Sequence, residues 1–297
     1  MERALPRYLR WHRSVGHSDR TVWFYDTTLD LFRRWLEGKG NSTKIGDLHV
    51  DAVREWIAEM QEQSLSPATI ASRVRALKAF THWLVEEEWL ERDPLRKLKV
   101  PKVGDIRKAT LEPDEVDTLL ASCDRKTVTG ARDYALMLLL FSTGLRAAEV
   151  CGLRLADINW DKGLITIRRG KGGKLRLVPL GSKVEHALEK YLAHKERPDT
   201  GDEGPLFLTD DGQPLAYSGL KNMLLRRGVK TGIHANAHKW RHSAAVTYLR
   251  NGGKLETLRL LMGHSEYSTT LHYARLAGTD VAEAHEMVDP TKTLKHK

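Results

Sequence analysis

His238-Lys239-Trp240-Arg241, followed by Gly263-His264 and then Tyr273, is the stretch on which the rest of the chain turns. His238 and Arg241 stand three residues apart, which on a helix puts both side chains on one face. Ala244, Ala245, Tyr248 and Leu249 continue an apolar stripe to a stop at Gly252-Gly253. A second helical run, Leu255 to Met262, delivers His264, and Tyr273 lies nine residues further on. Two imidazoles, a guanidinium and a phenol in so short a region form a set able to attack and hold a phosphodiester. His242 follows Arg241 directly and is expected to face away from His238. With His234 it is the nearest competitor for a base role.

Upstream, the pattern predicts a mainly helical domain with one small β-hairpin. Pro113 opens it at the first turn of a helix. Ala131 to Ser142 is apolar almost all round and reads as a buried helix, stopped by Thr143-Gly144. Arg146 begins the next short helix, with Glu149 one turn on. Leu164 to Arg168 and Leu175 to Val178 are rich in β-formers and flank Gly170-Lys171-Gly172-Gly173, a hairpin with Lys171 near its tip. Ser182 to His194 reads as a helix, Leu206-Phe207-Leu208 as a short strand, and Tyr217 to Arg227 as a basic helix ending near Gly228. Val281, Ala284 and Val288 mark a terminal helix that ends before Pro290.

Residues 1–99 read as a separate helical domain. Ser18 caps a helix running to Gly38, Asp51 to Gln63 forms another, and Ser66-Pro67 opens a third carrying Ile70, Val74, Leu77, Phe80 and Leu84. Arg73, Arg75 and Lys78 lie on its other faces. Trp11, Trp23, Trp35, Trp56, Trp83 and Trp89 are read as core of this bundle, with base stacking by one of them as the lesser alternative. Residues 100–110, holding Pro101, Lys102 and Gly104, break the periodicity and read as a basic interdomain linker, either lying along a phosphate backbone or merely solvated. The catalytic-looking domain is then 111–297.

The chain has 297 residues and a formal charge of +9, which favours an acidic partner such as nucleic acid. The excess is not concentrated at the front, since residues 1–99 carry 17 Lys and Arg against 15 Asp and Glu. Only Cys123 and Cys151 are present, too few for a disulfide framework or a zinc site, so a reducing cytosol is expected. The start, Met1 to Arg13, has no apolar core of a signal peptide. The longest apolar run, Ala135 to Phe141, is too short to span a bilayer, and no membrane association is expected.

The order Arg146, Lys171, His238-x-x-Arg241, His264, Tyr273 resembles the signature of the tyrosine recombinases, the phage-integrase family that includes Xer and Cre. The local words match as well: Thr143-Gly144-Leu145-Arg146 with Glu149, Gly170-Lys171-Gly172 before Val178-Pro179-Leu180, Arg241-His242, Leu261-Met262-Gly263-His264-Ser265, and Ser268-Thr269-Thr270 before Tyr273. Any one word is common by chance; six positions in order with their flanks are not. The resemblance covers the second domain by motif and the first only by length, helicity and position. Ala147-Ala148 and Trp240 depart from the usual residues and bear on packing. The family implies an N-terminal helical core-binding (SAM-like) domain and a C-terminal catalytic domain closing as a C-shaped clamp on DNA.

Phosphodiester cleavage builds charge on nonbridging oxygens, and no carboxylate cluster suggests a metal to absorb it. Arginine forks match two phosphate oxygens, so Arg146 and Arg241 are the candidates, with surface ion pairing as the bland alternative and Glu149 as an orienter of Arg146. Tyr273 is the candidate nucleophile, and Tyr267 its rival in the same segment. A phenol, with a pKa of about 10, attacks poorly unless a base takes its proton. His238 is that candidate base, and His264 can hydrogen-bond a nonbridging oxygen. Lys171 is the candidate general acid for the leaving 5′-hydroxyl, with Lys174 its rival.

The resemblance implies attack by Tyr273 to leave a 3′-phosphotyrosyl link and a free 5′-hydroxyl, then resealing by a partner strand, with no nucleotide or metal cofactor. It implies double-stranded DNA with short inverted-repeat core sites as partner, and a homotetramer in the synaptic complex from protomers that are monomeric when free. An accessory protein or a second recombinase is left open. The DNA-contact candidates are Arg73, Arg75, Lys78, Lys102, Lys221 and Arg226, on the helices after Pro67 and from Tyr217 and in the linker. The terminal helix, Asp280 to Val288, is expected on a neighbouring protomer or in cis. The rivals are DNA relaxation of the type IB topoisomerase kind and a DNA-binding regulator with an idle site.

Overall fold

The structure is a computed structural model. It describes residues 1–102, 110–168 and 175–264, together with Glu266, Thr270, Leu271, Tyr273 and Ala274. The chain divides into two compact units, Met1–Ile106 and Arg107–Lys297. Most of the expected linker, the hairpin tip and the expected terminal helix lie outside the described residues.

The first unit contains α1 (Ala4–Ser14), α2 (Asp19–Gly38), α3 (Val50–Glu62) and α4 (Pro67–Glu86). Ser18 starts α2 by accepting from the Thr21 N–H at 3.2 Å, and Ser66 starts α4 through Thr69 N–H at 3.2 Å, with Pro67 at the first position. Each such cap contributes about 1 kcal/mol. Leu29 and Phe32 of α2 meet Val74, Leu77, Phe80 and Leu84 of α4 in a core closed to solvent.

Two sequence expectations for this unit are corrected. Trp56 and Trp83 are buried and Trp35 and Trp89 pack against the core, but Trp11 is 36% and Trp23 62% exposed. Trp23 follows Val22 and so lies about 100° round the helix, off the buried line of Val22, Leu29, Phe32 and Leu36. Lys78 does not point freely outward. Its ammonium donates to the carbonyls of Leu95 at 2.9 Å and Leu98 at 2.7 Å and closes the turn after α4. Arg75 and Lys102 are exposed, while Arg73 is half-buried with Nη1 against Met60 Sδ.

In the second unit α5 (Pro113–Ala121) precedes α6 (Val128–Thr143), whose Leu136, Leu139 and Leu140 are fully buried. Gly144 ends α6 with φ +61, the left-handed conformation that glycine adopts at no cost. Then come α7 (Ala147–Cys151) and an antiparallel sheet of β1 (Ile158–Asn159), β2 (Leu164–Ile167) and β3 (Arg176–Pro179), in that order, with Ile165 opposite Val178. The hairpin reading stands for its two strands, and β1 is an addition too short to register as alternation. Helices α8 (Ser182–Leu192), α9 (Tyr217–Thr231), α10 (Ala237–Arg250) and α11 (Leu255–Met262) complete the unit. Among the described residues no helix is long and apolar enough to cross a membrane.

Leu206-Phe207-Leu208 is buried but not a strand. Its backbone is satisfied piecemeal, Leu206 N–H by Leu153 O at 2.9 Å and Leu208 N–H by Tyr191 Oη at 3.1 Å. Helix α9 does not end near Gly228 but runs on to Thr231 and stops at Gly232, φ +73. Gly228 is there for space: a Cβ would sit 2.6 Å from the Ile233 carbonyl oxygen. A buried ionic knot ties α6 to α9. Both Asp133 oxygens are held by guanidinium forks, Oδ1 by Arg132 at 2.8 Å and Oδ2 by Arg227 at 2.7 Å.

Candidate active site

Four local signals place the site. Asn236 caps α10 by accepting from the Lys239 N–H at 2.9 Å, so the helix begins one residue before His238. Trp240, wholly buried edge-to-face on Phe141, seats that first turn in the core. Ser243 accepts the Leu111 N–H at 2.6 Å and fixes α10 against the start of the unit. Gly144 and Gly263, both at positive φ, end α6 and α11 and turn their last carbonyls toward one point.

Arg241 occupies that point. It is buried, with Nη1 donating to Gly144 O and Nη2 to Met262 O at 2.8 Å. The helix ends, whose carbonyls carry partial negative charge, thus hold a cation between them. Arg241 Nη2 also meets His264 Nε2 at 2.8 Å, and His264 Nδ1 meets Thr270 Oγ1 at 2.9 Å. Both ring nitrogens of His264 are therefore engaged by protein groups. Burial, then the charges of Arg241, Arg146 and Arg176, push the His264 imidazole down to about 4. Burial and the neighbouring Arg146 lower Arg241 to about 10, which leaves it cationic at neutral pH.

Tyr273 is 3% exposed, its ring stacked 5.9 Å from that of His264 and tilted 5.1 Å from that of His242. Burial raises the pKa of the phenol, opposed by the Arg241 guanidinium, which is in side-chain hydrogen-bond contact with it, and by Arg146. Arg146, at the start of α7, has a 38% exposed side chain. Its Nη1 donates to Glu149 Oε1 at 3.2 Å and its backbone N–H to Oε2 at 2.8 Å. Burial alone would raise the Glu149 carboxyl, but Arg176, the Arg146 N–H and both guanidinium charges outweigh it and hold the pKa below the usual range.

The expectation that His242 faces away from His238 is wrong. Four residues advance a helix by about 400°, so the two side chains stand only about 40° apart. Their Nε2 atoms meet at 2.6 Å, with His238 exposed and His242 buried. His234 lies exposed before α10, 3.4 Å from the Asn236 side chain. The described residues thus bring together Arg146, Glu149, Arg241, His264 and Tyr273, with His238 joined through His242. Lys171, Lys174 and Tyr267 lie outside the described residues. Lys221 and Arg226 are exposed on α9.

Sequence reasoning passed over Arg176. From β3 it forks onto Glu149, Nη1 to Oε1 at 2.9 Å and Nη2 to Oε2 at 2.8 Å, and donates Nε to Leu261 O at 3.1 Å. Its position on the strand was legible; its partner, 27 residues away, was not. Among the described residues no three His, Cys, Asp or Glu side chains converge as metal ligands would.

Residues 109–279 match the phage integrase family, and residues 6–88 match the phage integrase N-terminal SAM-like domain. The tyrosine recombinase XerC of Oceanobacillus iheyensis is 32% identical over 280 residues, covering 92% of this chain and 91% of that protein. The tyrosine recombinase XerD of Listeria monocytogenes is 30% identical over 282 residues, covering 93% and 94%. In fold, the chain resembles the Tn1549 transposon integrase in complex with transposon right end DNA, at a TM-score of 0.76 and 22% identity over 96% of this chain and 98% of that one. The chain belongs to the phage integrase family, as one of its tyrosine recombinases, enzymes of site-specific DNA strand exchange.

Proposed function

We propose that Tyr273 attacks a DNA phosphorus, leaving a 3′-phosphotyrosyl link and a free 5′-hydroxyl, which a partner strand's 5′-hydroxyl then reverses. The observation that carries this reading is the buried contact between the Tyr273 phenol and the Arg241 guanidinium. A phosphate seated beside the phenol would meet Arg241 and the half-exposed Arg146, whose guanidiniums suit its nonbridging oxygens. His238 takes the phenol proton as one member of an imidazole pair with His242, which can share a single proton between facing Nε2 atoms. His264 holds Arg241 in plane. Lys171 gives a proton to the leaving 5′-oxygen, and Glu149 orients Arg146. The link conserves the phosphodiester's energy, so resealing needs no nucleotide.

The substrate in this reading is double-stranded DNA with short inverted repeats, gripped by both domains and exchanged in a homotetramer. Arg75 and Lys102, with Lys221 and Arg226, contact phosphates, and α4 and α9 enter major grooves. Lys78 drops out of this set because its ammonium is spent on the 95–98 turn. Relaxation without exchange, and binding with an idle site, are not favoured by the recombinases to which the chain is similar.

Footprinting on the DNA flanking the chain's own coding region identifies the site. Two differently labelled duplexes carrying it are then incubated with the protein. The expected result is recombinant duplex and a covalent protein–DNA adduct, both absent with Tyr273→Phe. An adduct that persists in Tyr273→Phe overturns the nucleophile; nicking and resealing without exchange overturns recombination in favour of relaxation.

A further inference from the structure

We propose that Arg176 is a positioning residue for strand cleavage: by occupying both oxygens of Glu149, it keeps the Arg146 fork available to the scissile phosphate. This rests on the reading of Arg146 as a phosphate ligand given above.

Glu149 has two oxygens and about four acceptor sites. Two are taken by the Arg176 fork at 2.9 and 2.8 Å, one by the Arg146 backbone N–H at 2.8 Å, and one by Arg146 Nη1 at the longer 3.2 Å. The parallel, two-bond slot on the carboxylate therefore belongs to Arg176. Arg146 keeps one stretched side-chain contact to the carboxylate and, through Nη2, one at the outer limit of hydrogen bonding to Gly263 O at 3.5 Å. The exposures agree: the Arg176 side chain is 13% exposed and that of Arg146 38%.

Without Arg176, Arg146 is the only remaining partner of the Glu149 carboxylate among the described residues, and the carboxylate is then open to take its guanidinium two-handed. A carboxylate so engaged competes directly with the phosphate for the same planar fork. Arg176 is itself held from two sides and closely approached on a third. Its Nε donates to Leu261 O at 3.1 Å, Glu149 holds its fork, and a Cβ on Gly263 would press on its guanidinium carbon at 3.1 Å. Gly263, just before His264, lets the strand-borne guanidinium pass beneath the end of α11. The charges point the same way. Arg146, Arg176 and Arg241 against Glu149 leave two positive charges around the site, which suits a phosphodiester that becomes doubly negative as it is attacked.

The test measures single-turnover cleavage of a nicked duplex carrying the footprinted site, with the scissile phosphate either natural or replaced by an uncharged methylphosphonate. Arg146→Ala is expected to slow the natural duplex about 100-fold or more and the methylphosphonate far less, because the neutral group has no charge for the fork to hold. Arg176→Met is expected to slow the natural duplex by about tenfold or more, again sparing the methylphosphonate. Adding Glu149→Gln to Arg176→Met should recover part of that loss, since the amide no longer competes for Arg146. Arg176→Lys, which keeps the charge but grips one oxygen, should show the same substrate dependence to a smaller degree, and covers the case in which the methionine variant does not fold. Equal losses on the two substrates for both Arg176 variants, or no recovery in the double variant, overturns the assignment. Equal losses for Arg146→Ala would instead overturn the reading of Arg146 itself.

Discussion

Arg241 Nη2 donates to His264 Nε2 at 2.8 Å. A guanidinium has no lone pair to offer, so that imidazole nitrogen is bare and the ring proton sits on Nδ1, donated to Thr270 Oγ1 at 2.9 Å. His264 in this arrangement fixes the plane of Arg241 instead of donating outward. It can serve a phosphate oxygen only by giving up one of these two contacts.

The neutral state of His264 makes stability depend on pH. Its folded pKa, about 4, lies below the ordinary value of 6.5, so the unfolded chain binds the proton more readily. The stabilisation is complete above the unfolded value and is lost as pH falls from there toward 4. His12 in the first unit, also pushed down to about 4 by burial and then by His17, acts in the same window. Urea unfolding followed from about pH 7.5 to about pH 4.5 should show a steeper acid loss for the natural chain than for His264→Asn. Parallel curves would contradict the assigned protonation.

Asp133 is the buried centre of the α6–α9 knot, with two guanidinium forks on one carboxylate. Asp133→Asn leaves the Arg132 and Arg227 guanidiniums charged but without that counter-charge, and Asp133→Ala removes the acceptor as well, so that Arg132 keeps only Asp210 as an anionic partner among the described residues. Asp133→Ala is expected to destabilise by about 3–5 kcal/mol, the range for breaking a buried pair on one side. Chemical denaturation measures this directly; a loss below about 1 kcal/mol would mean that the knot is solvated.

Lys78 and Lys221 should behave oppositely. Lys78→Met removes two good hydrogen bonds to carbonyls and should cost about 1.5–3 kcal/mol of stability, without changing the salt dependence of DNA binding. Lys221→Met, on the exposed face of α9, should leave stability alone and lower the slope of log affinity against log salt by about 0.9. Binding titrations at several salt concentrations, set beside melting curves, separate the two. Exchanged phenotypes would reassign both residues.

What the sequence made legible was local. Ser18, Ser66-Pro67 and Gly144 mark helix ends through bonds to neighbours three or four residues away, and those ends stand. The stripe after His238 is likewise a property of one helix. Long-range electrostatics were not legible: Arg176 finds Glu149 across 27 residues and Arg227 finds Asp133 across 94. Gly228 looked like a stop because glycine ends many helices, yet its reason is a close approach of Ile233. For His242 the cause is simpler: its angle to Arg241 beside it says nothing of its angle to His238, which stands one helical turn below and meets it ring to ring.

Whether a phenol oxygen displaces the sugar alcohol, with basic side chains absorbing the charge, is settled by mapping the link. Nicked duplexes labelled on one or other side of the break are incubated with the protein in chelator, and the trapped adduct is digested to a labelled peptide. Tyr273 bonded to the 3′ phosphate, formed at an undiminished rate in chelator, is the expected product. A link on the 5′ side, or cleavage that returns only when a divalent ion is added, contradicts the mechanism.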